Sequence, residues 1–322
     1  MRSIVARLLL VLTSLAIALG AAELGCRHWL GKRLHVETDE RNLLYGYDAT
    51  LGWFPRPSSP QQYTGEREIT VQHNSLGLRD IEIGPKTPGR PRIAFFGDSF
   101  VWGYDANLGE RMTDLLRARH PDWDIVNCGV SGFGTDQVLL LFERLAALLH
   151  PDAVVLEFNR ADRNDNILSE NLGGYGKPVF VVDGDSLKLA NVPVPLLAKS
   201  RWGESGLYRY SFLWRLLVTT RPGPKIGIYE DPSERLVDRL NHESAAAGAR
   251  LIVLIEGRDD EMAAHARSRS IPVAETEPAL HDASRPESPM RYTGHGAHWT
   301  PDGNKLVASL LEPVISSALA QR

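Results

Sequence analysis

The sequence predicts an α/β fold in which a five-stranded parallel sheet lies between two layers of helices. Two observations lead to this prediction. Short runs of apolar, strand-forming residues recur after residue 91, and each is bounded by turn residues. Strands that are apolar along their whole length are buried on both faces, as in parallel sheets. Amphipathic helical patterns alternate with these runs, which indicates a three-layer α/β/α sandwich with right-handed crossovers.

Five apolar runs are predicted to form the sheet: Arg92–Phe96, Asp124–Asn127, Val154–Phe158, Arg250–Glu256 and Ile271–Ala274. Helices are predicted between and after them, at Glu110–Arg119, Thr135–Leu149, Glu230–Gly248 and from Pro301 to near Ala320. Proline ends a helix and glycine favours the left-handed residue after one, so Pro151 and Gly248 mark two of the helix ends.

Two segments stand outside this alternation. Residues 31–90 form an N-terminal extension before the core domain at 91–322, and the stretch Pro85–Pro91 is the predicted boundary. Residues 168–225 form a long insertion after the third strand, with a β-hairpin predicted at Asp183-Gly184. This insertion either packs against the core or lies over the carboxyl edge of the sheet as a lid.

Residues 1–30 predict a membrane segment. Arg2 and Arg7 precede the apolar run Leu8–Ala22, as in a signal peptide or a signal anchor. We favour an uncleaved anchor over cleavage after Ala22, because interfacial residues continue beyond that point. The excess of positive charge before the run then places the rest of the chain outside the cytoplasm, in the periplasm or at the cell surface. A cleaved segment would give a secreted protein instead.

Composition excludes some partners. The chain has 36 basic and 40 acidic residues, a net charge of −4, so the basic face that a nucleic acid requires is not expected. The only cysteines, Cys26 and Cys128, cannot form a disulfide framework, and we expect no bond between them. We expect no cofactor. His295 and His298 have the spacing of a metal pair, but no third ligand is evident, so we expect no metal.

The chain is organised around Gly97-Asp98-Ser99, directly after the first predicted strand. Ligands of open α/β sheets bind at the carboxyl ends of the strands, so Ser99 is placed for chemistry. The alternative is that Ser99 only caps the following helix. Three further blocks follow in order: Asn127–Gln137, Asn159–Asn166 and His298–Asn304.

This ordered set resembles the SGNH (GDSL-like) hydrolase family, from about Leu51 to the C-terminus. The lead-in, Gly52-Trp53 and later Asn74–Arg79, looks like that of membrane-anchored bacterial members. The resemblance implies the flavodoxin-like SGNH fold, with Ser99 as nucleophile and His298 as its base. It also implies an oxyanion hole made by the backbone amides of Ser99 and Gly132.

Two positions depart from the family. The asparagine of the third block is replaced by Ala161, and Asn159, two residues earlier, is our candidate for the third oxyanion donor. The aspartate three residues before the histidine is replaced by His295. A neutral imidazole can orient His298 but cannot stabilise an imidazolium as a carboxylate does. Other acids remain open for this role: Asp282, Glu287 and Asp302.

The resemblance therefore implies an ester hydrolase that removes O-acyl groups from a glycan, a lipid or another acylated small molecule, through an acyl-serine. Two alternatives stay open. One is an O-acyltransferase, in which a sugar hydroxyl replaces water. The other is a pseudoenzyme that binds an acylated glycan or a partner, which the changes at Ala161 and His295 favour.

Overall fold

The structure is a computed structural model that describes residues 2–31, 44–58, 60–64, 67–171, 174–184, 186–197, 206–219, 230–282, 287, 292–294 and 298–321. The helices are α1 (Arg2–Leu30), α2 (Ser99–Trp102), α3 (Met112–Arg119), α4 (Thr135–Leu149), α5 (Ala161–Asp165), α6 (Gly206–Tyr210), α7 (Phe212–Thr219), α8 (Ser233–Ala246), α9 (Asp260–Ser268) and α10 (Pro301–Ala320). The strands are β1 (Tyr45–Asp48), β2 (Gly52–Pro55), β3 (Pro60–Thr64), β4 (Glu68–Gln72), β5 (Arg92–Phe96), β6 (Asp124–Asn127), β7 (Ala153–Asn159), β8 (Glu170–Asn171), β9 (Tyr175–Gly176), β10 (Val179–Asp183), β11 (Ser186–Ala190), β12 (Arg250–Glu256) and β13 (Val273–Glu275).

The central sheet confirms the predicted fold class. Five parallel strands lie in the order β13-β12-β7-β5-β6, and every residue of β5 and β7 is buried. Burial on both faces explains why these strands are almost uniformly apolar. The last strand begins at Val273 rather than Ile271, because parallel pairing with β12 starts only at Val253.

Helices cover both faces of the sheet and separate two apolar cores. Helices α4 and α8 pack on one face, where Phe142, Leu145 and Leu240 belong to one buried cluster. Helices α3 and α10 pack on the other face, where Leu116 and Leu311 belong to a second cluster. This is the predicted three-layer arrangement.

Helices α4 and α10 have the predicted bounds, whereas α3 and α8 begin later than predicted. Arg111 has an extended backbone and directs its guanidinium to Asp114, so α3 begins at Met112. The Asp231 carboxylate accepts the backbone N–H of Ser233 at 3.0 Å, which places the start of α8 there.

The N-terminal extension packs on the same core as the sheet. The Trp53 ring contacts Phe133 and Tyr175 at centroid distances of 5.6 and 5.9 Å, and its indole N–H donates to the carbonyl of Ser131 at 3.3 Å. The extension therefore contacts the loop that follows β6. Where one domain ends and the next begins remains a prediction.

The insertion contains the predicted hairpin. Strands β10 and β11 pair antiparallel, and Gly184 at the turn has φ +60°. Lys177 fixes the segment before the hairpin to the core, because its fully buried ammonium pairs with Asp136 and donates to the carbonyl of Asp165 at 2.7 Å. A buried charge needs such partners.

Helix α1 carries the predicted membrane segment. Ser3–Leu30 is long and apolar enough to cross a bilayer, and its most apolar window has no side chain buried in the protein. Cys26, near its end, and Cys128, after β6, are both free thiols.

Candidate active site

The candidate site lies where the strand order of the sheet reverses. From β5 the chain adds β6 on one side and then returns to add β7 on the other. The loops after these strands diverge and leave a crevice at the carboxyl end of β5, which is where open α/β sheets bind ligands. Ser99 follows β5 in this crevice, Gly132 lies in the loop after β6, and Asn159 ends β7.

A tight turn presents Ser99. The Asp98 carboxylate accepts the backbone N–H of Phe100 at 2.8 Å and caps the short helix α2, of which Ser99 is the first residue. The cap is therefore Asp98, not Ser99 as in the alternative interpretation. A Cβ at Gly97 would lie 2.6 Å from Glu157 Oε2 and 2.7 Å from Val101 Cγ2, so this position has room only for glycine.

The structure brings Ser99 and His298 together. Ser99 Oγ lies 2.8 Å from His298 Nε2, although 199 residues separate them in sequence. His298 stands just before α10, whose N-terminus is capped by Thr300. Asn304 of α10 accepts the backbone N–H of Met112 at 2.9 Å, which ties this end of α10 to α3. A hydroxyl bonded to an imidazole is the arrangement that activates a serine.

Aromatic rings hold the imidazole in place. The Tyr104 ring stacks on His298 with a centroid distance of 4.2 Å and an angle of 26°, and Phe100 lies 5.0 Å away. Phe100 in turn contacts Trp299 at 4.9 Å. Sequence reasoning missed these contacts; the signal available was the pair of aromatic residues one and five positions after Ser99.

The loop with Gly132 is tied to the turn that carries Ser99. Val130 donates its backbone N–H to the carbonyl of Gly97 at 3.1 Å. Gly132 is half-buried and has φ +80°, a conformation that glycine adopts without strain. Within the described part of the chain, no acceptor is found for the backbone N–H groups of Ser99 and Gly132.

Asn159 lies beside the turn as well. Its side-chain amide nitrogen donates to Asp98 Oδ2 at 3.1 Å and to Glu157 Oε1 at 3.3 Å. Its side-chain oxygen Oδ1 accepts the backbone N–H of Ala161 at 2.8 Å. The amide is thus directed at the residue before Ser99. Ala161, at the position of the family asparagine, is exposed and offers no side-chain donor.

The candidates for the triad acid differ in their surroundings. His295 lies outside the described residues. Asp302 is 41% exposed in the first turn of α10 and pairs with Lys305 at 3.1 Å. Asp282 is half-buried and Glu287 is exposed. Among the residues that the structure describes, no group of three or more His, Cys, Asp or Glu side chains could hold a metal ion.

A cluster of buried carboxyl groups behind Ser99 was missed by sequence reasoning. Burial raises the pKa of the Glu157 carboxyl well above its usual range, and the charges of Asp98 and Asp162 raise it further. Burial also raises the pKa of Asp98, against the stabilising hydrogen bond from Phe100, and that of Asp162. The available signal was a glutamate inside an otherwise uncharged strand.

Comparisons with known proteins give structural neighbours only. No family model and no curated protein matches the chain. A lipase/acylhydrolase from Enterococcus faecalis matches with 16% identity and a TM-score of 0.43, covering 70% of this chain and 96% of its own. A lipolytic protein of the G-D-S-L family from Veillonella parvula matches with 14% identity and a TM-score of 0.42. This match covers 70% of the present chain and 98% of the Veillonella chain. The esterase EstA from Pseudoalteromonas sp. matches with 14% identity and a TM-score of 0.42. This match covers 71% of the present chain and 98% of the esterase chain. The chain resembles the SGNH (GDSL-like) hydrolases in the order of its motifs, and these structural matches include that family.

Proposed function

We propose that the protein is a serine-dependent ester hydrolase that removes O-acyl groups from a glycan or a lipid through an acyl-serine. The observation that carries this proposal is the 2.8 Å contact between Ser99 Oγ and His298 Nε2 at the switch point of the sheet. A serine hydroxyl is a weak nucleophile until a base takes its proton, and His298 is in position to do so.

The reaction would run in two halves. Ser99 Oγ bonds to the acyl carbon while its proton passes to His298 Nε2. The ester's alkoxy group then leaves and takes that proton. In the second half, a water molecule gives a proton to His298 and bonds to the acyl carbon, and Ser99 leaves and recovers the proton. The products are a carboxylic acid and the free hydroxyl of the glycan or lipid.

Negative charge develops on the acyl oxygen in both halves and needs donors that are already in place. We assign the backbone amides of Ser99 and Gly132 to this role, because the Val130–Gly97 hydrogen bond holds their two loops together. Asn159, our candidate for the third donor, gives its two amide hydrogens to Asp98 and Glu157, so it must release one of these acceptors to donate to the acyl oxygen. Removal of one such donor costs about 10²- to 10³-fold in turnover.

The pseudoenzyme is the second candidate function. It is favoured by Ala161, which removes the family's side-chain donor, and by His295 at the position of the acid. A protein with this site would bind an acylated glycan or a partner without turning it over. The transferase alternative keeps the acyl-serine and replaces water with a sugar hydroxyl.

We further propose that α1 is an uncleaved signal anchor with the hydrolase domain outside the cytoplasm. Arg2 and Arg7 precede the apolar run and Ser3–Leu30 is long enough to span a bilayer. Alkaline phosphatase fused after Arg322 should be active in a bacterial host. If the alkaline phosphatase fusion is inactive and a cytoplasmic reporter fused at the same position is active, the orientation is the reverse of the one proposed.

Labelling with a fluorophosphonate tests the proposed function. Peptide mass spectrometry should place the label on Ser99, and Ser99→Ala should abolish both labelling and ester hydrolysis. His298→Ala should slow labelling strongly, because the serine loses its base. Ser268→Ala, at the exposed end of α9, is the matched control and should label like the wild type.

The outcomes separate the candidates. Equal hydrolysis by wild type and Ser99→Ala would overturn the nucleophile assignment. A folded wild type that neither labels nor hydrolyses any ester would favour the pseudoenzyme. Transfer of the acyl group from Ser99 to an added sugar, with little release to water, would favour the transferase.

A further inference from the structure

The insertion is attached to the helix that we propose as a membrane anchor. Glu23 of α1 accepts the backbone N–H groups of Phe212 and Leu213, each at 2.9 Å. It also accepts the hydroxyl of Ser211 at 2.8 Å. These donors form the N-terminus of α7, so a side chain of α1 caps a helix of the insertion.

Arg27, one turn after Glu23, completes this contact. Its guanidinium pairs with Glu23 at 2.9 Å and donates to the carbonyl of Tyr210 at 2.7 Å. The same group lies 4.9 Å from the centre of the Phe212 ring. The two charged residues of α1 that follow its apolar run therefore both bind the segment that joins α6 to α7.

The sequence of α1 sets the depth of this contact. Fifteen uncharged residues, Leu8–Ala22, separate Arg7 from Glu23. At about 1.5 Å per residue they span roughly 22 Å, which is most of a hydrocarbon layer about 30 Å thick. With Arg7 at the cytoplasmic edge, Glu23 lies within about 6 Å of the outer edge of that layer. The start of α7 then lies at the same level.

The helices α6 and α7 expose apolar side chains near this level. Leu207, Tyr210 and Leu217 are exposed by 62%, 68% and 53%. The basic side chain of Arg215 in α7 is not part of this surface, because it is buried and donates to the carbonyl of Tyr208 at 2.7 Å. Trp29 of α1 is exposed by 80% and belongs to a residue type that favours the membrane interface.

We propose that α6 and α7 rest on the outer surface of the bilayer that α1 crosses, with Leu207, Tyr210 and Leu217 in contact with lipid. The occupant is a bilayer rather than a soluble partner because Glu23 and Arg27 bind the start of α7 to the end of the apolar run of α1, which holds these exposed side chains close to the membrane. The inference rests on the proposed anchoring of α1.

The test uses the full chain in vesicles of phosphatidylcholine with one-fifth phosphatidylglycerol. The variants Leu207→Cys and Leu217→Cys are labelled with an environment-sensitive fluorophore, and the unsubstituted chain reports labelling of the buried Cys26 and Cys128. Leu15→Cys, in the middle of α1, is the lipid-exposed reference. Leu148→Cys, at an exposed position of α4, is the water-exposed reference.

The labels at 207 and 217 should be quenched by brominated lipids several-fold more than the label at 148, and less by aqueous iodide. Glu23→Ala should reduce lipid quenching at 217 while leaving it unchanged at 15, because the cap of α7 is lost and α1 still inserts. Quenching at 217 equal to that at 148 would overturn the proposal. Protection of these labels from iodide that appears only as the protein-to-lipid ratio rises would assign the surface to contact with a second copy of the chain. That result would also overturn the proposal.

No ester is hydrolysed in this experiment, so its failure leaves the proposed hydrolase untouched. Conversely, a chain that is inactive toward every ester can still show lipid contact at 207 and 217. Loss of lipid quenching at position 15 itself would contradict the anchoring of α1, on which the inference rests.

Discussion

Replacement of Glu157 by glutamine should make the protein more stable at neutral pH. Glu157 is buried in β7, where Oε2 accepts the backbone N–H of Asp98 at 3.2 Å and Oε1 accepts the amide of Asn159 at 3.3 Å. Burial and the nearby carboxylates raise the pKa of Glu157 and so favour its protonated form, and the hydrogen bond from Glu157 lowers the pKa of Asp98. Glutamine has nearly the same shape and can donate in the same direction.

The sign and size follow from proton linkage. The pKa of this group is higher in the native state than the value of about 4.3 in the unfolded chain. Its stabilising contribution is therefore complete below about pH 4.3 and is lost as the pH rises toward the native pKa. In that window the free energy of unfolding falls by about 1.4 kcal/mol per pH unit. Glutamine does not titrate, so Glu157→Gln lacks this slope.

Glutamine also carries a cost, because its NH₂ group replaces one of the two acceptor oxygens. A lost hydrogen bond of this kind costs about 1 kcal/mol. The free energy of unfolding of the variant should therefore rise relative to that of the wild type as the pH increases above about 4.3, by up to about 1.4 kcal/mol per pH unit until the native pKa of Glu157 is reached.

Urea unfolding of the full chain in detergent, followed by tryptophan fluorescence between pH 5 and 8, measures this difference. Glu261→Gln is the control, since that carboxylate is 85% exposed and solvent screens its interactions. Parallel stability curves for wild type and Glu157→Gln would refute a raised pKa for this buried carboxyl group.

Three further predictions concern the neighbours of the site. Gly97→Ala should lower the free energy of unfolding by a few kcal/mol, because the added methyl group would overlap a buried carboxyl oxygen. Gly84→Ala is the control and should change this free energy little, since an added methyl group there would have no atom within 4 Å. Chemical denaturation measures both changes. Tyr104→Ala should lower kcat/KM about 3- to 10-fold because the ring stacked on His298 is lost, and Tyr104→Phe should restore most of it in the same esterase assay. His295→Asp should raise turnover of p-nitrophenyl acetate by restoring the charge that stabilises the protonated base, and an unchanged rate in a folded variant would place the acid elsewhere.

The parts of the fold that the sequence predicted are those that depend on local patterns. The bounds of α4 and α10 were predicted because a proline or a glycine marks an end and the apolar stripe fills the interior. The starts of α3 and α8 were missed. They depend on the side-chain contacts of Arg111 and Asp231, which periodicity does not reveal.

The site was predictable only as an ordered set of motifs. The order placed Ser99 and His298 at one edge of the sheet, and the structure brings them within hydrogen-bonding distance. The stacking of Tyr104 and the raised pKa of Glu157 were not predictable. They depend on which way side chains point and on how many carboxyl groups the fold buries together.

The ring stack on His298 bears on what remains of catalysis if no carboxylate supports this histidine. A triad acid orients the imidazole and stabilises its protonated form, and its loss costs on the order of 10⁴-fold, or about 5.5 kcal/mol. Tyr104 and Phe100 already fix the ring from their faces. A cation against an aromatic face gains roughly 0.5–2 kcal/mol, so two rings recover about 1–4 kcal/mol of that loss. The remaining deficit corresponds to about 10- to 10³-fold in rate. We therefore expect slow but measurable hydrolysis from the Ser99–His298 pair alone. A double variant that removes the rings of Tyr104 and Phe100 should lose ester hydrolysis, even if the fluorophosphonate still labels its Ser99.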